Sequence, residues 1–294
     1  MKKKAKLTKF DIIVHIMATL AAVVVLYPLV LIVSCSFSTP DLVSSGKVVL
    51  LPKGFTLAGY KAVFENKDIL TGYANTIFYT VFGTITRLVV TLPASYALSK
   101  GKSIPGNNFF MMMVLFTMYF SGGMIPTFLV VNALGLYNTR FYIIIWGAFT
   151  AYNCIVSRSF FAEIPNELEE AAYIDGCSVI GTFVKIIMPI SKALLGVMVL
   201  YMAIGHWNGY FVHMIYLRDD ARQPLSVFLR RILIVTQQMS ELEESVGAAA
   251  LELAQREQLI RYAVIIVAAA PLLIIYPFLQ KYFDKGVLIG SLKG

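Results

Sequence analysis

Six long apolar segments constrain the fold of this chain more than any other feature of its sequence. A helix that crosses a membrane needs about 20 mostly apolar residues, and each segment reaches that length. The segments comprise residues 11–35, 73–98, 109–132, 140–162, 193–216 and 259–283. Of all residues, 58% are hydrophobic and 14% are charged, against about 45–50% and about 25% in soluble proteins. The sequence therefore predicts an all-α, polytopic membrane protein with six transmembrane helices.

The distribution of lysines predicts how these spans are oriented. Five of the first nine residues are lysines, and Lys281, Lys285 and Lys293 lie near the C-terminus. Basic flanks remain on the cytoplasmic side, and an even number of spans places both termini on one side. A cleaved signal peptide is the alternative for the N-terminus, but residues 11–35 are longer than its usual apolar core of about 7–15 residues. We expect a multi-pass protein of the inner or plasma membrane with both termini in the cytoplasm.

Several functional classes lack their signature in this sequence. The net charge is +8, but the basic residues form no stripe of the kind that binds nucleic acid. Cys35, Cys154 and Cys177 lack the spacing of metal ligands. The P-loop pattern is absent, because "SKGKS" at residues 99–103 supplies only its Gly-Lys-Ser. With no recognisable catalytic constellation either, we expect no metal site and no enzymatic activity in this chain.

Three regions are expected along the chain. Residues 1–72 hold the first span and an extracytoplasmic segment, residues 73–283 form the membrane core, and residues 284–294 form a glycine-rich tail. Residues 36–72 and 217–258 are long outer segments. Their basic residues do not contradict an outer location, because loops of this size follow the charge rule poorly. These segments are either solvated connectors or a docking surface for a partner.

An acidic insert separates the fourth and fifth spans, and the predicted topology places this insert, residues 163–192, in the cytoplasm. Pro165 opens it, Asn166 can cap a helix, and "ELEEAAYID" places acidic residues in the first turn, where the helix dipole favours them. Gly176 can end that helix, and "SVIGTFVKIIMP" predicts a second amphipathic element. We expect a helix–turn–helix that lies on the membrane face.

The same insert resembles the "EAA" signature of ABC importer permeases. Glu170-Ala171-Ala172 is followed by Gly176 and then by Ile187-Met188-Pro189, with Met188 in place of the more usual leucine. The resemblance implies the type I ABC importer permease (MetI-like) fold, in which this segment is a coupling helix that docks in a cleft of a separate ATP-hydrolysing subunit. The coupling residues that it implies are Glu169, Glu170, Ala171, Ala172, Asp175, Gly176 and Pro189.

Other stretches look like the maltose-type carbohydrate permeases, above all the branch for complex and uronate-containing oligosaccharides. They are "SGGMIPTFLVVNALGLYNT", "IPNELEEAAYIDG", "GHWNGYF" and "YPFLQKYFDKGVLIGSLKG". The likeness implies oligosaccharide import and four kinds of partner: membrane lipid, a second homologous permease subunit, two ATP-binding subunits and an extracellular solute-binding protein. It implies no cofactor in this chain, since ATP and magnesium bind to the partner ATPase subunit. It also implies that Gly286, Gly290 and Gly294 belong to a tail that reaches the ATPase interface, with a frayed terminus as the alternative.

Polar and glycine residues inside the spans are candidates for the substrate pathway. Gly122 and Gly123 lie in "FSGGMIPTF", which predicts either a break at a permeation site or a simple packing kink. The other candidates are Asn153, His206, Trp207 and Asn208. The rings and polar groups of "GHWN" suit contact with a sugar, whereas helix packing, a cavity or an interfacial aromatic belt are the alternatives.

Arg87 is the least expected residue, because its charge lies well inside the second span. An arginine at the centre of a membrane helix costs about 2.5–3.5 kcal/mol on insertion scales. Its side chain could extend to the cytoplasmic face, pair with an acidic residue of a partner, or face an anionic sugar. These three alternatives stay open at the level of the sequence.

Other transport mechanisms fit the sequence less well. An ion-coupled secondary transporter needs ionisable groups in mid-membrane, and the spans contain almost no acidic residues. An ABC permease for a different solute, such as an amino acid or a metal, differs from the sugar reading only in its cargo. A membrane enzyme would require catalytic residues that the sequence does not present.

Overall fold

The computed structural model describes residues 8–242 and 260–277, and within them the regular structure is helical throughout, without a β-strand. The first helices are α1 (Lys9–Ser36), α2 (Pro40–Ser44), α3 (Ala58–Glu65), α4 (Lys67–Ser99), α5 (Asn107–Tyr119), α6 (Met124–Ala133) and α7 (Arg140–Ile145). They are followed by α8 (Ala151–Ala162), α9 (Glu167–Ile174), α10 (Val179–Ile190), α11 (Lys192–Asn208), α12 (Phe211–Tyr216), α13 (Leu225–Leu242) and α14 (Ile260–Pro277).

Three helices of the described part are long and apolar enough to cross a membrane, namely α1, α4 and α14. Two strongly bent helix pairs, α5 with α6 and α10 with α11, raise the number to five if each pair counts as one span. The described residues therefore confirm a helical membrane protein with three to five candidate spans, rather than a count of six.

The remaining expected spans are interrupted. The predicted span 109–132 bends by 114° between α5 and α6. The predicted span 140–162 is broken between α7 and α8, where residues 146–150 leave the helix. The predicted span 193–216 divides at Gly209 and Tyr210, between α11 and α12. The glycines of "FSGGMIPTF" mark the first of these breaks in the sequence, whereas the other two segments are apolar enough along their length to be predicted as continuous spans.

The chain divides into two compact units, and the first comprises residues 1–70 and 229–270. Thr8 begins α1 with a reciprocal capping box to Asp11. At the other end of α1 the chain folds back, since Ser34 Oγ donates to the carbonyl of Leu50 (2.6 Å) and the Phe37 ring stacks on Phe55 (5.8 Å). At least the first part of the predicted outer segment 36–72 is thus an ordered, packed structure.

The second unit comprises residues 71–228 and 271–294, and α4 contributes to both of its large apolar clusters. Near the start of α4, Tyr79 packs with residues of α6, α7 and α12. Near its end, Leu92 and Tyr96 pack with residues of α8, α10 and α11. Helix α4 therefore connects the two apolar clusters of the second unit.

One face of α4 carries a line of buried polar side chains, which we call the polar ridge. Its members are Asn75, Thr76, Thr84, Arg87, Thr91 and Ser95. Most of them follow the i, i+3 or i, i+4 spacing that places residues on one side of a helix. Four members of the ridge form hydrogen bonds to other segments, namely Asn75, Thr76, Arg87 and Thr91.

At the start of the ridge, α4 holds the segment that leads into α13. Asn75 Nδ2 donates to the carbonyls of Ala221 (2.9 Å) and Gln223 (3.0 Å). Thr76 Oγ1 accepts from the amide of Leu225 (2.9 Å). These side chains satisfy backbone groups that no regular helix satisfies, so this irregular segment is fixed to α4.

Candidate functional site

The helix α9 coincides with the acidic stretch that the sequence predicts as a coupling helix. Glu167, Glu169 and Glu170 occupy its first turn, where carboxylates interact favourably with the helix dipole. Gly176 follows its C-terminus with φ of +78°, a left-handed conformation that glycine adopts without a Cβ clash. The turn therefore redirects the chain from α9 toward α10.

Helix α9 exposes large apolar side chains and buries one of its carboxylates. Ile174 is 86% exposed, and Leu168 and Tyr173 are exposed as well, whereas Glu169 is only 6% exposed. A surface helix usually buries its apolar side chains and exposes its charges. Ile174 lies with Glu170 and Ala171 on the side of the helix opposite the buried Glu169 and Ala172, so this side of α9 is open to a partner.

The predicted coupling residues lie on two different faces of the insert. Glu170, Ala171, Asp175, Gly176 and Pro189 are exposed. Two further members of the predicted set, Glu169 and Ala172, are buried within the chain itself. Only the exposed set is free to contact a partner in this conformation.

Glu169 is buried because it forms an ion pair with Lys100, the residue that follows α4. The ammonium group of Lys100 also lies over the ring of Tyr96, 4.5 Å from its centroid, a favourable cation–π arrangement. This pair joins α9 directly to the end of α4.

Arg87 is buried in the second unit, where its guanidinium faces the break between α7 and α8. Its Nη2 donates to the carbonyl of Trp146 (3.2 Å), and its Cζ lies 5.3 Å from the centroid of the Trp146 ring. One turn later Thr91 Oγ1 donates to the carbonyl of Ala148 (3.1 Å). Two carbonyls that the helix break leaves free are thus satisfied by α4.

Close packing around Arg87 depends on a residue without a side chain at position 147. Gly147 has φ of +66°, and a Cβ there would lie 2.8 Å from Arg87 Nη2. Within the described residues Arg87 forms no ion pair with an acidic side chain. The contacts of its guanidinium are therefore to the backbone carbonyl and the ring of Trp146 in its own subunit.

The "GHWN" residues at the end of α11 are divided between buried and exposed positions. His206 is 2% exposed and packs against Gly83 of α4. Trp207 is buried, with its ring edge-on to Tyr73 at 6.0 Å. Asn208, the last residue of α11, is exposed. Of these three, only Asn208 is open to a ligand in this conformation.

The other predicted pathway residues lie on different elements. Gly122 and Gly123 are exposed and form the break between α5 and α6, which confirms the interruption that the sequence predicts there. Asn153 is half-buried in the first turn of α8. The tail glycines Gly286, Gly290 and Gly294 lie outside the described residues.

Sequence reasoning did not identify Lys100, Tyr96 and Thr91 as important. No local signal marks Lys100, because its partner Glu169 lies 69 residues away along the chain. A signal was present for Thr91, since polar residues recur at helical spacing along the second span. This spacing predicts that one face of the helix is polar and buried. Arg87 belongs to that face, which accounts for a charged residue inside the span.

Comparison with known proteins now defines the family. Residues 69–289 match the family described as "Binding-protein-dependent transport system inner membrane component". The chain belongs to this family of membrane permeases. It is therefore a membrane-embedded component of an ABC transport system, which works together with a binding protein, an ATPase and a second permease.

Named relatives are similar over nearly the whole chain. The polygalacturonan/rhamnogalacturonan transport system permease protein YtcP of Bacillus subtilis is 39% identical over 97% of this chain and 98% of its own length. Protein LplC of Bacillus subtilis is 41% identical over 92% and 90%. A chain of a bacterial ABC transporter involved in the import of the acidic polysaccharide alginate matches with a TM-score of 0.85 and 35% identity, over 95% of this chain and all of that chain.

The packing of Arg87 against position 147 leads to a prediction about stability. Gly147→Ala should destabilise the permease more than Gly135→Ala, because both glycines have nearly the same positive φ (+66° and +67°) but only position 147 meets a neighbouring side chain. The new methyl group would displace the guanidinium from the Trp146 carbonyl, and a hydrogen bond of a charged group contributes about 1.5–3 kcal/mol. Each kcal/mol lowers the unfolding midpoint by roughly 2–4 °C. Thermal unfolding of the purified complexes measures the difference, and equal shifts in the two variants would show that the contact does not constrain the fold.

Proposed function

We propose that this permease is one of two membrane subunits of an ATP-driven importer that moves uronate-containing oligosaccharides into the cell. The observation that supports this cargo most is the similarity to YtcP across almost the full length of both chains. Its name refers to polygalacturonan and rhamnogalacturonan, and the similar solved structure belongs to an importer of another acidic polysaccharide. An extracellular binding protein would deliver the oligosaccharide to the outer face.

The proposed topology has six spans with both termini in the cytoplasm. Lysines flank the first apolar segment on its N-terminal side, and the acidic insert 163–192 falls between the fourth and fifth apolar segments. The positive-inside rule keeps this lysine-rich flank in the cytoplasm. In this arrangement α9 faces the cytoplasm, while the segment held by Asn75 and Thr76 faces the outside.

The exposed face of α9 is the proposed docking surface for the ATPase subunit. It presents Ala171, Ile174 and the carboxylate of Glu170, which share one side of the helix, while the exposed Leu168 and Tyr173 flank the buried side. An apolar surface beside a charge fits a cleft with apolar walls and a basic group. We propose two ATPase subunits, one beneath each permease; they would bind ATP and magnesium, so that this chain itself performs no catalysis.

The substrate pathway is proposed to pass the exposed candidates rather than the buried ones. Gly122, Gly123 and Asn208 are exposed, and Asn153 is partly exposed. Arg87, His206 and Trp207 are buried, so we propose that they hold helices together and that a sugar does not contact them directly. The anionic cargo would then be recognised mainly by other subunits or by the partner permease.

The cargo can be tested with the complex purified together with its binding protein and reconstituted in liposomes. We expect short galacturonate oligosaccharides to stimulate ATP hydrolysis and to accumulate inside the vesicles. Neutral maltooligosaccharides of the same length serve as the matched control, and amino acids represent the non-sugar alternative. Stimulation by either of these, without a response to uronates, would rule out the proposed cargo.

Reversing the charge of Glu170 tests the docking surface. Glu170→Lys should reduce binding-protein-stimulated ATP hydrolysis by roughly tenfold or more, because an unfavourable charge contact at an interface costs several kcal/mol. Glu163→Lys makes the same change at an exposed residue just before α9 and should retain most of the activity. Both variants need a check of assembly by gel filtration. Normal stimulation in an assembled Glu170→Lys complex would contradict the docking surface.

A further inference from the structure

The ion pair between Lys100 and Glu169 is unusual because both groups are shielded from water. The side chain of Glu169 is 8% exposed and that of Lys100 is 20% exposed. Removing two charges from water has a large desolvation cost, and an apolar pair of similar volume often gives equal or greater stability. Stability alone is therefore a weak explanation for this pair, whereas fixing the position of two elements is a use that such pairs do have.

The ion pair lies next to a cluster of aromatic rings, which come from α4 and from the two helices that flank α9 in the chain, α8 and α10. Tyr96 lies under the Lys100 ammonium group, and its ring is 5.8 Å from that of Phe161 in α8 and 4.9 Å from that of Phe183 in α10. Phe161 is 1% exposed and belongs to the same cluster. A movement of α9 can therefore reach α4 by two routes. One is the charge pair, and the other is the packed rings of the neighbouring helices α8 and α10.

The opposite end of α4 is fixed just as specifically. Asn75 and Thr76 bind the backbone of residues 221–225, and Tyr79 Oη donates to the carbonyl of Arg222 (2.8 Å). From Asn75 to Lys100 the helix is about 38 Å long at 1.5 Å per residue. One continuous helix thus joins the segment next to α9 and the segment that precedes α13.

We propose that Lys100 and Glu169 are positioning residues that transmit the displacement of α9 to α4, and through α4 to the segment 221–225. The proposal rests on the proposed docking of α9 on an ATPase subunit. Without the pair, α9 would still dock and ATP would still be hydrolysed. The movement would then reach the membrane helices through α8 and α10 alone, and less transport would result from each ATP.

The ratio of oligosaccharide imported to ATP hydrolysed is the measurement that isolates this role. In reconstituted complexes, Glu169→Gln and Lys100→Met should each lower this ratio at least about fivefold, the lower end of typical coupling between linked sites. The exchanged pair Lys100→Glu with Glu169→Lys should recover part of the lost ratio, since the charges again attract although the cation–π contact of Lys100 with Tyr96 is lost. Lys192→Met, at an exposed lysine that begins α11, is the control and should leave the ratio unchanged.

Conservative variants keep the test decisive if a variant fails to assemble. Lys100→Arg and Glu169→Asp retain both charges and should assemble with a ratio near that of the original protein. An unchanged ratio in the assembled single variants would overturn the proposal, and so would equal ratios in the single and exchanged variants. The single variants could fail to assemble while the exchanged pair assembles, and the conservative variants then decide. If Lys100→Arg, Glu169→Asp and the exchanged pair all keep the ratio of the original protein, the pair serves folding only, which also overturns the proposal.

Failure of this proposal is distinguishable from failure of the proposed function. If α9 does not dock on the ATPase, Glu170→Lys leaves ATP hydrolysis unaffected. If only the transmission by Lys100 and Glu169 is wrong, Glu170→Lys still suppresses hydrolysis while the ratio in the Lys100 and Glu169 variants stays constant.

Discussion

Inside a membrane every backbone N–H and C=O group needs a partner within the protein, because lipid offers none. In the second unit of this permease, the polar ridge of α4 supplies such partners. Arg87 and Thr91 donate to the carbonyls of Trp146 and Ala148 at the break between α7 and α8. Asn75 also donates to the carbonyls of Ala221 and Gln223, in the segment that the proposed topology places at the outer face. A helix with polar residues on one face therefore permits irregular backbone in its neighbours.

This arrangement has a consequence for transport. Elements bound to a single helix at several points tend to move with it, and rigid movements of this kind are a common form of conformational change. The contacts of α4 extend from Asn75 near one end to Lys100 just beyond the other, where the buried pair with Glu169 begins α9. Helix α9 is thus connected to α4 by a side-chain contact in addition to the two chain segments that flank it.

The sequence predicted some of these features well. Long apolar runs predicted α1, α4 and α14, and helix-forming residues between Pro165 and Gly176 predicted α9, because both signals are local. The break at residues 146–150 was missed, since those residues are apolar and their carbonyls are satisfied from α4. The position of Glu169 was missed for a related reason: its partner Lys100 is distant in sequence, and a run of glutamates does not show which one faces inward. Arg87 was recognised as unusual, but a backbone carbonyl 59 residues away could not be identified as its partner.

We expect the exposed side of α9, which carries Glu170 and Ile174, to contact an ATPase subunit while its buried side is fixed to α4. A photo-reactive amino acid at position 174, where the native isoleucine is 86% exposed, tests this claim most directly in the assembled transporter. Illumination is predicted to join the permease covalently to the ATPase subunit, and the same probe at the exposed Val23 of α1 should not do so. An adduct of position 174 with the extracellular binding protein, or no adduct with the ATPase, would contradict the account.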